Sequence, residues 1–305
     1  MIDGKTGELA WSKWLGPEIH STPTVANGKV YAVYPTELRS FTKGTSPYAV
    51  ICFELKTGNV LWQNWIDSEP LGSPVLSGTS IYITTSRGNL HQFDNSSGVA
   101  EGTLTDGLCS SPPTIADGKV YLTRKDPKNS GRDQLNAYRI TSLEPSGSLP
   151  LNSIHPSVVS SYMTPSKQMN FSGSRPLFFK GKLYAVSGTS MICVDPIKLT
   201  KIWSIDLAEV PGMEEDLFTT MPIAANQEII AVTQSGKVLV VDPVKGLLKT
   251  TYDLESPVIF QPIIHAGWIY AASSEGKLIS YNTGNSTLTG WPMWSLNAAH
   301  NPVVE

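Results

Sequence analysis

Charge and cysteine are both scarce in this chain. Only 16% of its 305 residues are charged, and 23 basic residues stand against 26 acidic ones, a net charge of −3. A balance of this kind leaves no basic footprint for nucleic acid. No stretch reaches the ~18–20 consecutive apolar residues of a transmembrane helix. The opening residues, MIDGKTGELAW, have neither the basic start nor the apolar run of a signal peptide. They begin in mid-repeat, so Met1 reads as a trimmed boundary, and the missing signal says nothing about location. Three cysteines cannot all pair, and no Cys-x-x-Cys or His-x-x-x-His spacing exists for a metal. There is no Gly-x-Ser-x-Gly elbow, phosphate loop or His-Glu-x-x-His. DPKNSGRD (126–133) fails the spacing of a calcium loop and reads as a long hairpin turn.

What the chain does have is repetition. VANGKVYAV (25–33), IADGKVYLT (115–123), FFKGKLYAV (178–186) and IHAGWIYAA (264–272) are copies of one pattern, and VLSGTSIYIT (75–84) and AANQEIIAV (224–232) are looser ones. A proline anchors each unit: Pro23, Pro74, Pro113, Pro176, Pro222, Pro262 and Pro302. Their spacings of 51, 39, 63, 46, 40 and 40 residues point to a unit near ~40, with the excess as insertion, which is the period of a β-propeller. The fold expected is therefore all-β, one propeller domain over 1–305 with four-stranded antiparallel blades. Six complete repeats plus the two ends predict seven blades, the last incomplete or closed by both termini.

Within a unit, the proline suits an edge strand because it has no N–H to leave unpaired. The Asn-Gly or Asp-Gly turn supplies the chemistry of a two-residue hairpin. The second strand carries Tyr31, Tyr82, Tyr121, Tyr184, Ile230 and Tyr270 at one position, and the third alternates, as in SGKVLVVD. Cys52 and Cys193 share one third-strand slot of two different repeats, where others place Gln92, Ala137, Val240 and Ser280. Both are expected buried and unpaired, because equivalent slots on separate blades lie beyond the ~7 Å Cα reach of a disulfide. Cys109 falls at the entry to a first strand.

DGKTGELAW (3–11) and ELKTGNVLW (54–62) resemble the Asp-x-x-Thr-Gly-x-x-x-Trp signature of the pyrroloquinoline-quinone-like (quinoprotein-like) repeat. DPIKLTKIW (195–203) keeps the Asp and Trp. DPVKGLLKT (242–250) and DNSSGVAEG (94–102) lose the Trp. The resemblance covers essentially the whole chain, and it implies that Trp11, Trp62 and Trp203 dock between adjacent blades. Quinone-dependent alcohol dehydrogenases share these repeats, but the resemblance implies for them a longer chain, an adjacent cysteine pair against the cofactor and bound calcium. This sequence has no Cys-Cys dipeptide. Non-enzymatic members include the propeller lipoprotein of the bacterial outer-membrane barrel-assembly machinery.

In a propeller, turns joining strands one to two and three to four lie on one face; two-to-three loops and crossovers lie on the other. The first set is tight here. The excess length falls in the second: 35–47, 124–132, 141–173 (part of which must supply an outer strand) and 206–219. That one-sidedness makes the long-loop face the expected working surface. Its candidate partner contacts are Arg39, Arg124, Lys125, Arg132, Tyr162, Phe171, Glu214, Glu215, Asp216 and Phe218, with Lys43 and Lys128 adding to the basic side. His20, His155 and His300 are placed near the channel mouth of that face, His91 and His265 on or near the opposite one. The expected function is a non-catalytic, monomeric scaffold without cofactor that binds a protein. A carbohydrate or cell-wall ligand and a quinoprotein dehydrogenase remnant are the alternatives. The resemblance implies a periplasmic, cell-surface or secreted location.

Overall fold

The structure, a computed structural model, describes residues 1–16, 21–36, 48–105, 107, 109, 111–126, 128–151, 175–258, 260–273, 275–293 and 295–304. Six antiparallel sheets follow one another along the chain. The first blade is β1 (Thr24–Ala26), β2 (Lys29–Pro35), β3 (Tyr48–Glu54) and β4 (Val60–Ile66). The second is β5 (Val75–Ser77), β6 (Ser80–Thr84), β7 (Leu90–Asp94) and β8 (Ala100–Leu104). The third is β9 (Thr114–Ala116), β10 (Lys119–Asp126), β11 (Asn129–Arg139) and β12 (Pro145–Pro150). The fourth is β13 (Leu177–Phe179), β14 (Lys182–Ser187), β15 (Ser190–Asp195) and β16 (Thr200–Asp206). The fifth is β17 (Ile223–Ala225), β18 (Glu228–Val232), β19 (Lys237–Val241) and β20 (Leu248–Asp253). The sixth has three strands: β21 (Ile263–His265), β22 (Trp268–Ala272) and β23 (Leu278–Asn282).

Register repeats from blade to blade. The Tyr slot pairs across with the Cys slot every time: Tyr31 with Cys52, Tyr82 with Gln92, Tyr121 with Ala137, Tyr184 with Cys193, Ile230 with Val240 and Tyr270 with Ser280. One residue later the third-to-fourth pairing shifts in each four-stranded blade, for example between Cys52 and Phe53 and between Cys193 and Val194. Such a bulge increases the local twist of the outer strand. All three cysteines are buried thiols outside any disulfide.

Consecutive blades meet through a reciprocal fit of side-chain sizes. Trp11, Trp62 and Trp203 each lie against the turn glycine of the next blade. A Cβ on Gly58, Gly98 or Gly246 would come within 2.5–2.6 Å of the respective indole. Where the outer strand carries glycine instead, the next turn carries leucine. Leu143 faces Gly102 and Leu199 faces Gly147, with Cδ1 at 3.1 and 2.7 Å from where a Cβ would stand. Both leucines adopt left-handed backbone, at φ 55° and 50°. That conformation is unfavourable for a bulky residue, so the filling contact offsets the strain. Each indole N–H also donates to a turn carbonyl: Trp11 to Leu55, Trp62 to Asn95 and Trp203 to Pro243, at 2.9, 3.2 and 3.0 Å.

Seven blades were expected, with HNPVVE as the first strand of the last. The described residues form six sheets, and β24 (Val303–Val304) instead runs parallel beside β13. The N-terminal residues form a separate hairpin closed by an Ile2–Leu9 bridge. The two middle strands of a seventh blade have no counterpart in sequence, while the inner strands offer unpaired backbone that the tail can satisfy. Residues 288–304 take up that backbone around the channel. Trp291 pairs with Ile264, and the N–H groups of Asn226, Val25, Leu76 and Phe178 donate to the carbonyls of Thr289, Ala298, Ala299 and Pro302. Asn301 completes the circuit through both backbone groups of Ile115.

The swapped fit yields a direct test. Gly98→Leu is expected to cost about 2–4 kcal/mol by overpacking Trp62 in left-handed backbone. The double variant Trp62→Gly/Gly98→Leu recreates the Gly102–Leu143 pairing. It should recover about 1–3 kcal/mol relative to the sum of the single losses. Denaturant unfolding of the four proteins measures this, and strictly additive losses would contradict the reciprocity.

Candidate functional site

Among the described residues, the long-loop face is built where a crossover settles on the middle turn of the next sheet, as in the Pro70–Thr85 and Phe218–Thr233 bridges. Between β4 and β5, Asp67 accepts from the Thr85 hydroxyl at 2.9 Å, the Asn89 amide at 3.1 Å and His91 Nε2 at 2.6 Å. Burial works to raise the Asp67 carboxyl, but the His91 and Thr85 hydrogen bonds outweigh it and hold it below its ordinary range. His91 Nδ1 lies 3.3 Å from the Thr103 hydroxyl. This places His91 on the long-loop side, not on the opposite face expected from sequence. With so many donors on one carboxylate, the network ties a loop down.

The same device recurs between β16 and β17. Asp206 caps a single 3-10 turn, Leu207–Glu209. Further along, Asp216 accepts from the backbone N–H groups of Leu217 and Ser235 at 2.9 and 3.1 Å and from the Ser235 hydroxyl. Asp216 is thus half-buried and engaged, whereas Glu214 and Glu215 are exposed. The Glu214 carboxyl sits below its ordinary range because its own backbone N–H and that of Gly212 donate to it.

Two expected partner contacts are corrected outright. Arg124 is 1% exposed. It continues strand β10, and alternation turns it inward, where it donates to the carbonyls of Gly88 and Gly107 at 3.2 and 2.6 Å and stacks 5.5 Å from the Tyr138 ring. Phe218 is 4% exposed and lies in the core with Leu207, Met213 and Met221. Its backbone N–H donates to Gly188, which pulls the residue beneath the crossover instead of leaving it as a binding platform. Lys125 is half-buried and ion-paired at 2.7 Å with Asp133, whose carboxyl burial holds above its ordinary range despite that lysine. Lys128 and Arg132 remain exposed. Arg39, Lys43, Tyr162, Phe171, His20 and His155 lie outside the described residues.

Sequence reading placed His300 near the channel mouth but missed Arg175. Arg175, at the entry to β13, is 4% exposed and donates to the Ser295 hydroxyl, to Pro113 O at 2.7 Å and to His300 O at 2.5 Å. Burial pushes its guanidinium down to about 9, which still leaves it charged at neutral pH. His300 is buried with Nε2 3.1 Å from Pro23 O. Only the repeated proline, whose carbonyl accepts these bonds, marked the region in sequence. Two cavities open on the described surface. One, ≈300 Å³, lies between the outer parts of the third and fourth blades on the long-loop side, lined by Leu149, Leu151, Ser190, Lys201, Ser204 and Asp206. The other, ≈570 Å³, lies on the tight-turn side between Ser77, Asp117, Lys180 and the tail residues Asn301 and Val303. Tight turns alone offer little to build a pocket; the tail supplies the missing wall. Among the described residues, no group of three or more His, Cys, Asp or Glu is placed to hold a metal ion, and no helix is long and apolar enough to cross a membrane.

The Asp67 network carries a pH signature. Its lowered carboxyl contributes stability in full above the unfolded value near ~3.9 and loses it as pH falls through the folded value. Asp67→Ala should therefore cost about 1–3 kcal/mol at neutral pH, with the gap to wild type closing in acid. Unfolding curves across a pH series test this; a gap independent of pH would rule out the ionised network.

A family model described as outer membrane protein assembly factor BamB matches residues 39–101. No curated protein matches the chain by sequence. Among solved structures, BamB from Moraxella catarrhalis superposes with a TM-score of 0.65 at 14% identity, covering 92% of this chain and 77% of that one. A europium-containing methanol dehydrogenase gives 0.61 at 12% identity, over 90% of this chain and 56% of its own. The quinohemoprotein alcohol dehydrogenase from Comamonas testosteroni gives 0.58 at 16%, over 88% and 46%. This chain thus spans about half the length of those two enzymes. The fold is that of the quinoprotein-like repeat propellers, shared by an assembly factor and by dehydrogenases alike.

Proposed function

We propose that this chain is a non-catalytic scaffold of the extracytoplasmic compartment, which recognises a protein partner through its long-loop face. The observation that carries the reading is the match of residues 39–101 to an outer membrane protein assembly factor, on a fold that aligns with BamB over 92% of the chain. The partner expected is a component of outer-membrane protein assembly, and the location is periplasmic or at the cell surface.

The charges available for that partner are those the fold leaves exposed. Glu214 and Glu215 stand exposed on one side, and Lys128 and Arg132 on another. Opposed charges on one face orient an incoming partner and speed its encounter more than they tighten the complex. The dehydrogenase reading is less well supported by the channel. The three cysteines of the chain are single, buried and outside any disulfide, and the tail with Arg175 and Trp291 packs the space along the inner strands. These residues do not fit a flat quinone held against a cysteine pair.

Charge reversal at Glu214 and Glu215 together should weaken capture of the outer-membrane assembly partner several-fold at low salt. The effect should shrink as salt screens the contact and leave thermal unfolding unchanged, because exposed charges contribute little to stability. Binding lost instead on substitution of Asn27 or Asp117, in the tight turns, would place the partner on the other face. Quinone-dependent dye reduction with simple alcohols would overturn the scaffold reading altogether.

A further inference from the structure

The junction between the third and fourth blades is filled at one end and open at the other. On the tight-turn side, Leu199 closes it against Gly147. On the long-loop side the fourth blade presents small side chains: Ser190 on β15 pairs with Asp206 on β16, and Ile192 with Ser204. The cavity of ≈300 Å³ stands there. Its apolar wall is Leu149 and Leu151 from the third blade and Ile192 from the fourth, seated on the buried cluster that holds Leu135, Val194 and Leu199.

Charge is divided across this cavity. Lys201 lines it from near the start of β16, Asp206 from its end, and Glu209 from the 3-10 turn that follows. Among the described residues, neither Lys201 nor Glu209 takes part in an ion pair. Asp206 accepts only from neutral donors, the Ser190 hydroxyl at 3.3 Å and the Ala208 N–H at 3.1 Å. The fifth blade shows what is missing. There the same register positions, the first of the third strand and the last of the fourth, are Lys237 and Asp253, and they form an ion pair. In the fourth blade a serine stands in place of that lysine, which leaves space beside the carboxylate and no cation of the chain against it. A cation and carboxylates that line one cavity without pairing are spaced for a ligand that carries both charges. Asp206 lies five residues beyond Lys201 on β16, about 16 Å between Cα atoms, and the lysine stem covers part of that. The ammonium and carboxylate of a single amino acid share one carbon and do not bridge the remainder. Two or three extended residues, at ~3.3–3.6 Å each, do.

We propose that this cavity binds a short free peptide of about two or three residues. Its N-terminal ammonium sits against Asp206 and Glu209, its C-terminal carboxylate against Lys201, and an apolar side chain on Leu149, Leu151 and Ile192. The volume stands at the lower end of the roughly 300–1,000 Å³ typical of small-molecule sites, which suits a ligand of this size. Contact with both termini selects free peptides over internal segments of a protein chain. The site lies between outer strands, away from the channel, and does not depend on the scaffold reading.

Isothermal titration calorimetry of the full chain with the tripeptide Ala-Leu-Ala tests the proposal. Saturable binding at one site is expected. The N-acetylated and the C-amidated tripeptides should each bind about tenfold more weakly, because each loses one charged contact. Ala-Gly-Ala, without the apolar side chain, should also bind more weakly. Asp206→Asn/Glu209→Gln should weaken Ala-Leu-Ala to a similar degree, with little further loss on acetylation; Lys201→Gln should do the same for amidation. Asparagine keeps an oxygen for the Ala208 cap, and Glu209 and Lys201 are exposed, so the fold should be retained. Thermal unfolding checks this, and Glu209→Gln alone carries the acidic arm if the double variant unfolds. No binding of Ala-Leu-Ala at millimolar concentration would overturn the proposal. So would blocked peptides that bind as well as the free one, or variants that keep the wild-type ratio between free and blocked forms.

Discussion

Everything in this fold depends on how closely one sheet can lie on the next. Sheets packed face to face sit ~10 Å apart, and the contact must be filled without voids. Here one slot on the outer strand and one on the following turn share that filling. Indole faces glycine at three junctions, and glycine faces leucine at two. The volume is conserved although its owner changes. This explains why the repeats tolerate loss of the signature tryptophan in the second and third blades without losing their alignment. It also explains leucines in a backbone region that normally excludes them, since the unfavourable φ at Leu143 and Leu199 is held by the packing it permits.

The channel answers a different demand. Inner strands are edges, and their N–H and C=O groups need partners where water is excluded. The C-terminal tail meets that demand blade by blade, and buried side chains complete it. The anchor prolines lack a donor but offer a carbonyl. Pro23 receives His300, Pro74 receives Thr24, Pro113 receives Arg175 and Pro176 receives Thr114. A buried guanidinium is tolerated here because the Pro113 and His300 carbonyls and the Ser295 hydroxyl converge on it.

On the long-loop face, structural need and binding capacity compete for the same charges. Asp67 and Asp216 are used to hold crossovers on the turns below them, and Arg124 supplies donors to two glycine carbonyls. Among the described residues, the charges left exposed on these loops include Glu214, Glu215, Lys128 and Arg132. The likeness to both an assembly factor and dehydrogenases is a likeness of the frame, and on the proposed reading recognition rests on these remaining groups.

Local, periodic features were legible in the sequence. The Asn-Gly and Asp-Gly turns, the tyrosine slot, the small third-strand slot holding Cys52 and Cys193, and the propeller itself all follow from residues close together and repeated. Each such signal is set by backbone geometry within one hairpin, and repetition amplifies it. Features that depend on which distant segments meet were not legible. Arg124 and Phe218 look like surface residues in a loop, and only the crossover packed over them makes them interior. Arg175 and His300 carry no repeat signal, because the partners that bury them lie 62, 125 and 277 residues away in sequence. The count of blades belongs to the same class. The sequence by itself determined the unit and its turns, whereas the tertiary structure decided where the tail went, since that choice rests on unpaired edges that exist only once the sheets have assembled.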